Sequence, residues 1–166
     1  MDHGLVVRVL ATDRARLPPP VQEAIYRLET RTAGNADPPP EASGGSDANG
    51  GSGRKRGFKL NLCVSYGSRG DIALACRSVA ASVAAGELPL AAVDEACVAE
   101  RLATRGLPDP DLVIRTSGEL RLSNFLLFEL AYAELFFLDK FWPELTRADL
   151  VSVLKDFDAR SRRFGI

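Results

Sequence analysis

A polar stretch between two apolar runs constrains the fold of this chain more than any other feature of its sequence. Arg115 to Ser123 (Arg-Thr-Ser-Gly-Glu-Leu-Arg-Leu-Ser) follows the short run Leu112 to Ile114 and precedes a much longer apolar run. Arginine presents a planar fork of donors that matches phosphate and carboxylate oxygens. A helix beginning at Ser123 or Asn124 would add its unpaired N–H groups at the same place. This order of strand, polar loop and helix predicts an anion site at the carboxyl end of a parallel strand.

The same residues have a simpler interpretation. Arg115 and Arg121 could pair with acids on the surface, and Ser123 could only cap the helix that follows it. Because two arginines, a glycine turn and a hydroxyl are packed into nine residues, we favour the anion site.

Composition excludes several classes of protein. A chain of 166 residues with 46% hydrophobic and 26% charged residues is typical of one globular domain. A net charge of −1 gives no general attraction to nucleic acid, so no nucleic-acid partner is expected and anion binding must be local. Cys63, Cys76 and Cys97 lie in apolar segments and are predicted to be buried thiols. With no Cys-x-x-Cys pair and a single histidine, a structural zinc site is not expected.

The sequence shows no signal peptide, transit peptide or membrane span. The longest apolar run, residues 125–138, is too short to cross a bilayer and contains two glutamates. We therefore expect a cytoplasmic or membrane-peripheral protein.

Hydrophobic periodicity predicts an α/β fold, a mostly parallel β-sheet flanked by helices on both faces. Strands are predicted at residues 5–10, 60–66, 112–115 and 135–138, and helices at about 18–35, 68–85, 90–105 and 147–158. Thr146 and Asp149 resemble a capping box for the last helix. The helix positions expected in the core are Val21, Ala24, Ile25, Leu28, Ile72, Cys76, Val79, Val83, Leu150, Val153, Leu154 and Phe157.

Residues 36–57 differ from the rest of the chain. Of these 22 residues, 12 are Gly, Pro or Ser, and alanine is the only apolar type. Such a segment buries too little apolar surface to offset its ordering entropy, so it is predicted to be a disordered insertion. It separates an N-terminal strand and helix (1–35) from the remainder of the domain (58–166).

Several motifs together resemble one known family. Residues 111–127 read Asp-Leu-Val-Ile-Arg-Thr-Ser-Gly-Glu-Leu-Arg-Leu-Ser-Asn-Phe-Leu-Leu, and Ala-Tyr-Ala-Glu-Leu-Phe-Phe follows at 131–137. Tyr-Gly-Ser-Arg-Gly-Asp-Ile stands at 66–72, Trp-Pro at 142–143 and Arg-Arg-Phe-Gly at 162–165. This order is similar to that of the cis-prenyltransferases, which include undecaprenyl diphosphate synthase and the catalytic subunit that makes dehydrodolichyl diphosphate. The resemblance covers all of the chain except the insertion.

The resemblance implies a reaction and a set of site residues. Members of this family condense isopentenyl diphosphate with an allylic diphosphate, create a new cis double bond, and repeat the step to build a polyprenyl diphosphate. Arg115, Arg121 and Ser123 match the family positions that bind the diphosphate of isopentenyl diphosphate. The resemblance also implies a homodimer or heterodimer and peripheral membrane association through the product.

A metal is implied as well. Glu134 matches a carboxylate that the family associates with Mg²⁺, and Asp111 matches a supporting position. Glu134 lies among almost entirely apolar neighbours, where a carboxylate needs a partner or a cation. Oxygen ligands of this kind suit Mg²⁺. Without the resemblance, a glutamate at the end of a helix or on the surface would be the simpler interpretation.

Two departures from the family pattern affect the expected activity. Leu120 stands where bacterial members often have a histidine near the metal. The Asp-Gly-Asn-Gly-Arg motif that carries the family's catalytic aspartate, and the elements after it, have no counterpart in this sequence. We therefore expect a sheet that is incomplete at its N-terminal side and an isolated chain without activity.

Three readings follow from these observations. The leading one is the C-terminal part of a cis-prenyltransferase, from a truncated gene model or an inactive shortened paralogue, that keeps the isopentenyl diphosphate half-site. The second is a non-catalytic partner subunit of a heteromeric prenyltransferase. Such partners usually lack the Arg-Thr-Ser-Gly signature, which this chain keeps at 115–118. The third is an unrelated phosphate-ester enzyme with coincidental motifs.

Overall fold

The computed structural model describes residues 5–35 and 58–160. The insertion predicted at 36–57 lies outside the described residues, so its predicted disorder and the domain limits around it stay predictions. The chain forms two compact units, Met1–Tyr66 and Gly67–Ile166. Each unit contains one pair of parallel strands, which confirms the α/β class. The described strands form two separate two-stranded ladders, whereas the sequence predicted one sheet.

The first unit contains β1 (Val6–Leu10), α1 (Pro19–Ala33) and β2 (Lys59–Cys63). β1 and β2 pair in parallel, with Val6 opposite Lys59 and Leu10 opposite Cys63. Three valines favour a strand at β1. Two prolines in the first turn of α1 fit a helix start because their missing N–H groups would be unpaired there. The buried apolar residues of this unit are Val7, Val9, Leu10 and Ile25.

Side chains of α1 accept two backbone N–H groups on the edge of β1 that does not face β2. The backbone N–H of Val7 donates to Thr32 Oγ1 at 3.0 Å, and that of Val9 donates to Glu29 Oε1 at 2.7 Å. Arg14 pairs with both oxygens of the Glu29 carboxylate, at 2.9 and 2.7 Å. Polar contacts therefore fix this helix on the strand, and of its four predicted core positions only Ile25 is buried.

The Glu29 contacts predict a pH dependence of stability. The hydrogen bond from Arg14, together with that from Val9, holds the pKa of Glu29 below its ordinary value of 4.5. A depressed carboxylate pKa stabilises the folded chain above the ordinary pKa, and the contribution is lost as the pH falls through the lowered value. We expect the free energy of unfolding, measured with urea, to fall on acidification below about pH 4.5. Glu29→Gln should lower it at neutral pH and flatten this dependence, whereas the exposed Glu23→Gln should leave the slope unchanged.

The second unit contains α2 (Ser68–Ala84), α3 (Glu95–Ala99), β3 (Leu112–Arg115), β4 (Glu134–Phe137) and α4 (Arg147–Ala159). β3 and β4 pair in parallel, with Leu112 opposite Glu134 and Arg115 opposite Phe137. Both strands were predicted, β4 one residue later than it is found. The buried apolar residues are Ala75, Val79, Leu102, Leu130, Phe136 and Val153.

The helix predicted at about 90–105 is wrong over most of its length. Leu90–Ala92 forms a 3-10 turn, and α3 spans only five residues. Asp94 adopts an extended backbone and its carboxylate accepts the N–H of Cys97 at 2.8 Å. An N-cap in the middle of the segment ends one element and starts another, although the apolar spacing on its two sides is that of a single helix.

The buried face of α2 is rotated from the prediction, so that of its four predicted core positions only Val79 is buried. Its buried residues are Ser68, Asp71, Ala75 and Val79. Asp71 lies inward because both of its carboxylate oxygens accept the N–H of Ala103 at 3.1 Å. This rotation leaves Cys76 exposed, contrary to the prediction, and Cys63 and Cys97 are only half-buried.

The last helix, α4, begins as the sequence predicted. Thr146 and Asp149 form a reciprocal capping box, and Lys140 contacts the Asp149 carboxylate at 2.7 Å. The hydrogen bond from Lys140, followed by those from Thr146, holds the pKa of Asp149 well below its usual range. Val153 is buried as predicted, but Leu150 and Leu154 are exposed. Across the described residues, no helix combines the length and apolar character that a membrane crossing requires.

Candidate anion-binding site

The loop after β3 is anchored to the carboxyl end of β4. The N–H of Leu138 donates to the Arg115 carbonyl at 2.8 Å, the N–H of Gly118 to the Leu138 carbonyl at 3.0 Å, and the N–H of Ser117 to the Lys140 carbonyl at 2.7 Å. These bonds continue the β3–β4 ladder beyond the last paired residues. Arg115 is therefore presented on regular, fixed backbone at the carboxyl edge of the ladder.

A left-handed turn redirects the chain at Ser117 and Gly118, where φ is 72° and 65°. A side chain at position 118 would place its Cβ 2.8 Å from Asp139 Oδ1. Glycine, which has no Cβ, allows both this backbone conformation and this close approach. The turn brings the following residues back over the side chain of Arg115.

Three charged side chains meet in this loop. The Glu119 carboxylate contacts Arg115 Nη2 with Oε2 and Arg121 Nη2 with Oε1, the latter at 2.5 Å. Arg121 Nε also donates to Ser123 Oγ at 3.1 Å. These contacts lower the pKa of Glu119, with the hydrogen bond from Arg115 as the largest cause and that from Arg121 next after the opposing effect of burial. The predicted residues Arg115, Arg121 and Ser123 thus form one cluster, with Glu119 at its centre.

Glu119 was not among the predicted site residues. Its signal was present, because an acidic residue stands between the two arginines at spacings of four and two residues. The arginines do pair with an acid, as the simpler interpretation required, but that acid belongs to the same loop.

The helix predicted to begin at Ser123 or Asn124 is not formed. Ser123, Asn124 and Leu126 have φ of 49°, 65° and 44°, and residues 123–132 form turns and bends. Left-handed residues cannot continue a right-handed helix. The positive end of a helix dipole at this point, which was part of the predicted anion site, is therefore absent from the described loop.

Asn124 instead joins the end of the loop to the start of α2. Its carbonyl accepts the N–H of Ser68 at 2.9 Å, and its Oδ1 accepts the N–H of Arg69 at 2.8 Å. In return, Ser68 Oγ accepts the N–H of Leu127 at 2.9 Å. A Cβ at Gly67 would lie 2.7 Å from Asn124 Nδ2, so a glycine is needed for this close approach. Through Asn124, the backbone next to Ser123 is therefore held at the start of α2.

Glu134 lies at the other end of the same ladder. It is the first residue of β4, opposite Leu112, whereas Arg115 is opposite Phe137. Glu134 is therefore three residues along the ladder from Arg115, a separation of roughly 10 Å. Glu134 Oε2 pairs with Arg160 Nη1 at 2.6 Å, so the structure does not bring Glu134 into the arginine cluster.

The surroundings of Glu134 bear on the expected metal. Its carboxylate has the donor chemistry that Mg²⁺ prefers, and its N–H donates to the Asp111 carbonyl at 3.0 Å. Over residues 5–35 and 58–160, however, no three His, Cys, Asp or Glu side chains are grouped so as to hold a metal. One carboxylate that is already paired with an arginine does not build a magnesium site by itself.

Glu129 carries a further buried carboxylate, and it was not among the predicted site residues either. Glu129 Oε1 accepts the Thr104 hydroxyl at 2.5 Å, and Glu129 Oε2 is buried without a hydrogen-bond partner. Both residues line a cavity of about 180 Å³. Because Glu129 Oε2 is shielded from solvent, a ligand in this cavity would not reach it without rearrangement.

Comparison with known proteins matches this chain to one family. Residues 46–165 match the family model Prenyltransf, described as "Putative undecaprenyl diphosphate synthase". An isoprenyl transferase of Geobacter sulfurreducens is 41% identical over 92% of this chain and 54% of its own length. A ditrans,polycis-undecaprenyl-diphosphate synthase ((2E,6E)-farnesyl-diphosphate specific) of Xanthomonas campestris pv. campestris is 40% identical over 99% of this chain and 55% of its own.

The fold agrees with that comparison. A lavandulyl diphosphate synthase from Lavandula x intermedia, solved in complex with dimethylallyl diphosphate, superposes with a TM-score of 0.83. It is 34% identical, and the match covers 100% of this chain and 62% of that one. The chain thus spans about half the length of the curated relatives it matches. By sequence and by fold, it belongs to the undecaprenyl diphosphate synthase family of cis-prenyltransferases.

Proposed function

We propose that this chain forms the isopentenyl diphosphate half-site of a cis-polyprenyl diphosphate synthase, with Arg115, Arg121 and Ser123 as ligands of the diphosphate. The observation that carries the proposal is the convergence of two guanidinium groups on one carboxylate, that of Glu119. Two donor forks that share one anion are spaced to share another, and phosphate oxygens suit the fork as well as carboxylate oxygens do. The Ser123 hydroxyl, 3.1 Å from Arg121 Nε, adds a neutral donor.

In this role the cluster positions one of two substrates. Isopentenyl diphosphate would be held by its diphosphate so that its double bond faces the allylic carbon of the second substrate. Fixing the geometry of two reactants lowers the entropic part of the barrier. The second substrate would be an allylic diphosphate. The description of the Xanthomonas relative names farnesyl diphosphate, and the Lavandula structure holds dimethylallyl diphosphate.

Metal and partners belong to the same proposal. Mg²⁺ would take Glu134 as one oxygen ligand in exchange for Arg160, and its other ligands would be water and substrate phosphate oxygens. Because the described residues contain no group of three or more His, Cys, Asp or Glu side chains that could hold a metal, we assign no reaction step to the metal. Phe125 and Leu127 are each 39% exposed, which supports association with a second subunit, either a copy of this chain or another member of the family. The polyprenyl product would bring the protein to a membrane surface.

Replacement of Arg121 tests the proposed site. Loss of one charge-assisted contact typically costs about 1.5–3 kcal/mol, so Arg121→Ala should weaken isopentenyl diphosphate binding about tenfold or more. Arg121→Lys should restore only part of the affinity, since an ammonium group cannot reproduce the bidentate fork. The measurement is calorimetric titration at fixed salt, because screening weakens diffuse charge attraction more than specific contacts.

Arg101→Ala is the control for this test. Arg101 lies outside the loop and donates to Cys97, so its loss removes the same charge and should change the affinity little. Equal losses from the two variants would show that only diffuse positive charge attracts the ligand.

We further propose that the isolated 166-residue chain does not transfer prenyl groups. Its sequence has no counterpart of the family's Asp-Gly-Asn-Gly-Arg motif, and stabilisation of a departing diphosphate requires more than the arginines of one half-site. Incorporation of labelled isopentenyl diphosphate into longer products should stay at the level of the Arg121→Ala variant. Incorporation above that level would contradict the proposal.

A further inference from the structure

The Glu119 carboxylate lies between the two arginines of the proposed site. Each of its two carboxylate oxygens contacts a different arginine. The Arg115 side chain is 24% exposed, Glu119 38% and Arg121 62%, so the carboxylate lies between an inner and an outer guanidinium group. A ligand that bridges both arginines would use the Nη2 donors that Glu119 now holds.

We propose that Glu119 is an internal counter-ion that a substrate diphosphate must displace, and that it thereby selects for ligands carrying two phosphate groups. The inference rests on the proposed function, because it assumes that the diphosphate binds at Arg115 and Arg121. It goes beyond that function by assigning a role to a residue that opposes binding.

Electrostatics requires the displacement. A diphosphate carries several negative charges, and a carboxylate that stayed between the same two arginines would repel it at close range. Glu119 does not leave by losing its charge, because Arg115 and then Arg121 lower its pKa and it stays ionised at neutral pH. It leaves as an anion, and the ligand must replace both ion pairs.

The loop allows the exchange. The backbone hydrogen bonds that tie the loop to the end of β4 are made by Arg115, Ser117 and Gly118. Within the described part of the chain, the two arginines are the only partners of the Glu119 carboxylate. Rotation of one side chain therefore frees both guanidinium groups, and Arg115 can stay on its strand.

The exchange gives selectivity. A diphosphate can contact both arginines and compensate for both ion pairs that Glu119 loses. A single phosphate, with less charge and fewer oxygens, compensates less completely. Glu119 should thus weaken the binding of both ligands and should weaken phosphate binding more. If Glu119 only held the arginines in place, its removal would weaken binding, which is the opposite sign.

Calorimetric titration of the full chain distinguishes tighter from weaker anion binding after Glu119 is replaced. The ligands are inorganic diphosphate and inorganic phosphate, at fixed salt. Exposed ion pairs are individually weak, so Glu119→Gln should tighten diphosphate binding by about three- to tenfold and phosphate binding by a larger factor. Glu119→Ala should change both in the same direction. Glu87→Gln, which removes one exposed negative charge from the same unit, should change either affinity less than about twofold. Thermal unfolding monitors the fold of each variant.

Unchanged or weaker diphosphate binding in Glu119→Gln would overturn the inference, and so would an unchanged preference for diphosphate over phosphate. The Arg121→Ala variant distinguishes this failure from failure of the site. If Arg121→Ala weakens diphosphate binding while Glu119→Gln does not tighten it, the proposed site stands and the counter-ion role is wrong. If Arg121→Ala binds as well as the unmodified chain, or if neither the unmodified chain nor Glu119→Gln binds, both proposals fail. Binding that appears only in Glu119→Gln and is lost with Arg121 would support both.

Discussion

Replacing both Arg115 and Arg121 by alanine is expected to weaken the binding of isopentenyl diphosphate to this chain more than about a hundredfold. Each arginine offers a charge-assisted contact worth about 1.5–3 kcal/mol, and the two side chains are held close enough by Glu119 to act on one ligand. The double variant also leaves the Glu119 carboxylate without its partners, so a negative charge remains where the diphosphate should bind. The loss can therefore differ from the sum of the single losses, because neighbouring residues couple.

Arg77→Ala combined with Arg147→Ala is the matched control for this prediction. Both residues are exposed on helices of the same unit, and their removal lowers the net charge by the same amount. We expect a change of less than about threefold at physiological salt, since exposed charges beyond a Debye length are screened. A comparable loss in the two double variants would assign the binding to overall charge.

Leu102→Ala is expected to have the largest effect on stability. Leu102 is 1% exposed, and replacement of a buried leucine by alanine typically costs about 2–5 kcal/mol through lost burial and the cavity left behind. The next residue, Ala103, donates its N–H to the buried Asp71 carboxylate. A shift at position 102 would thus also disturb α2, whose first turn is tied to Asn124 at the end of the loop.

The measurement is urea unfolding, with Leu90→Ala as the control. Leu90 is 76% exposed, and exposed substitutions usually change stability by less than about 0.5 kcal/mol. Similar losses in the two variants would show that Leu102 does not contribute to the core as the structure describes.

Local sequence signals were sufficient to predict most elements of the fold. The strands at 6–10 and 112–115 were identified because buried parallel strands are continuous apolar runs. The last helix was located by its capping box, which depends on two side chains three residues apart. The predictions failed where a polar residue overrides the apolar spacing. Asp94 divides the segment at 90–105, and the inward Asp71 rotates the buried face of α2.

The candidate site could be predicted only in part. Arg115, Arg121 and Ser123 were selected from residue type and spacing, and the structure brings them together. The bridging role of Glu119 depends on the left-handed turn at Ser117 and Gly118, and left-handed φ at a serine is not evident from sequence. The contacts of Asn124 with the start of α2 span 55 residues or more, so no local pattern could indicate them.

The position of a bound diphosphate tests the central claim most directly. A crystal structure of this chain with isopentenyl diphosphate would locate it. Our account predicts diphosphate oxygens within hydrogen-bonding distance of Arg115, Arg121 and Ser123, with the Glu119 carboxylate turned away from both arginines. A diphosphate bound elsewhere on the chain, with Glu119 still bridging the two arginines, would contradict the account.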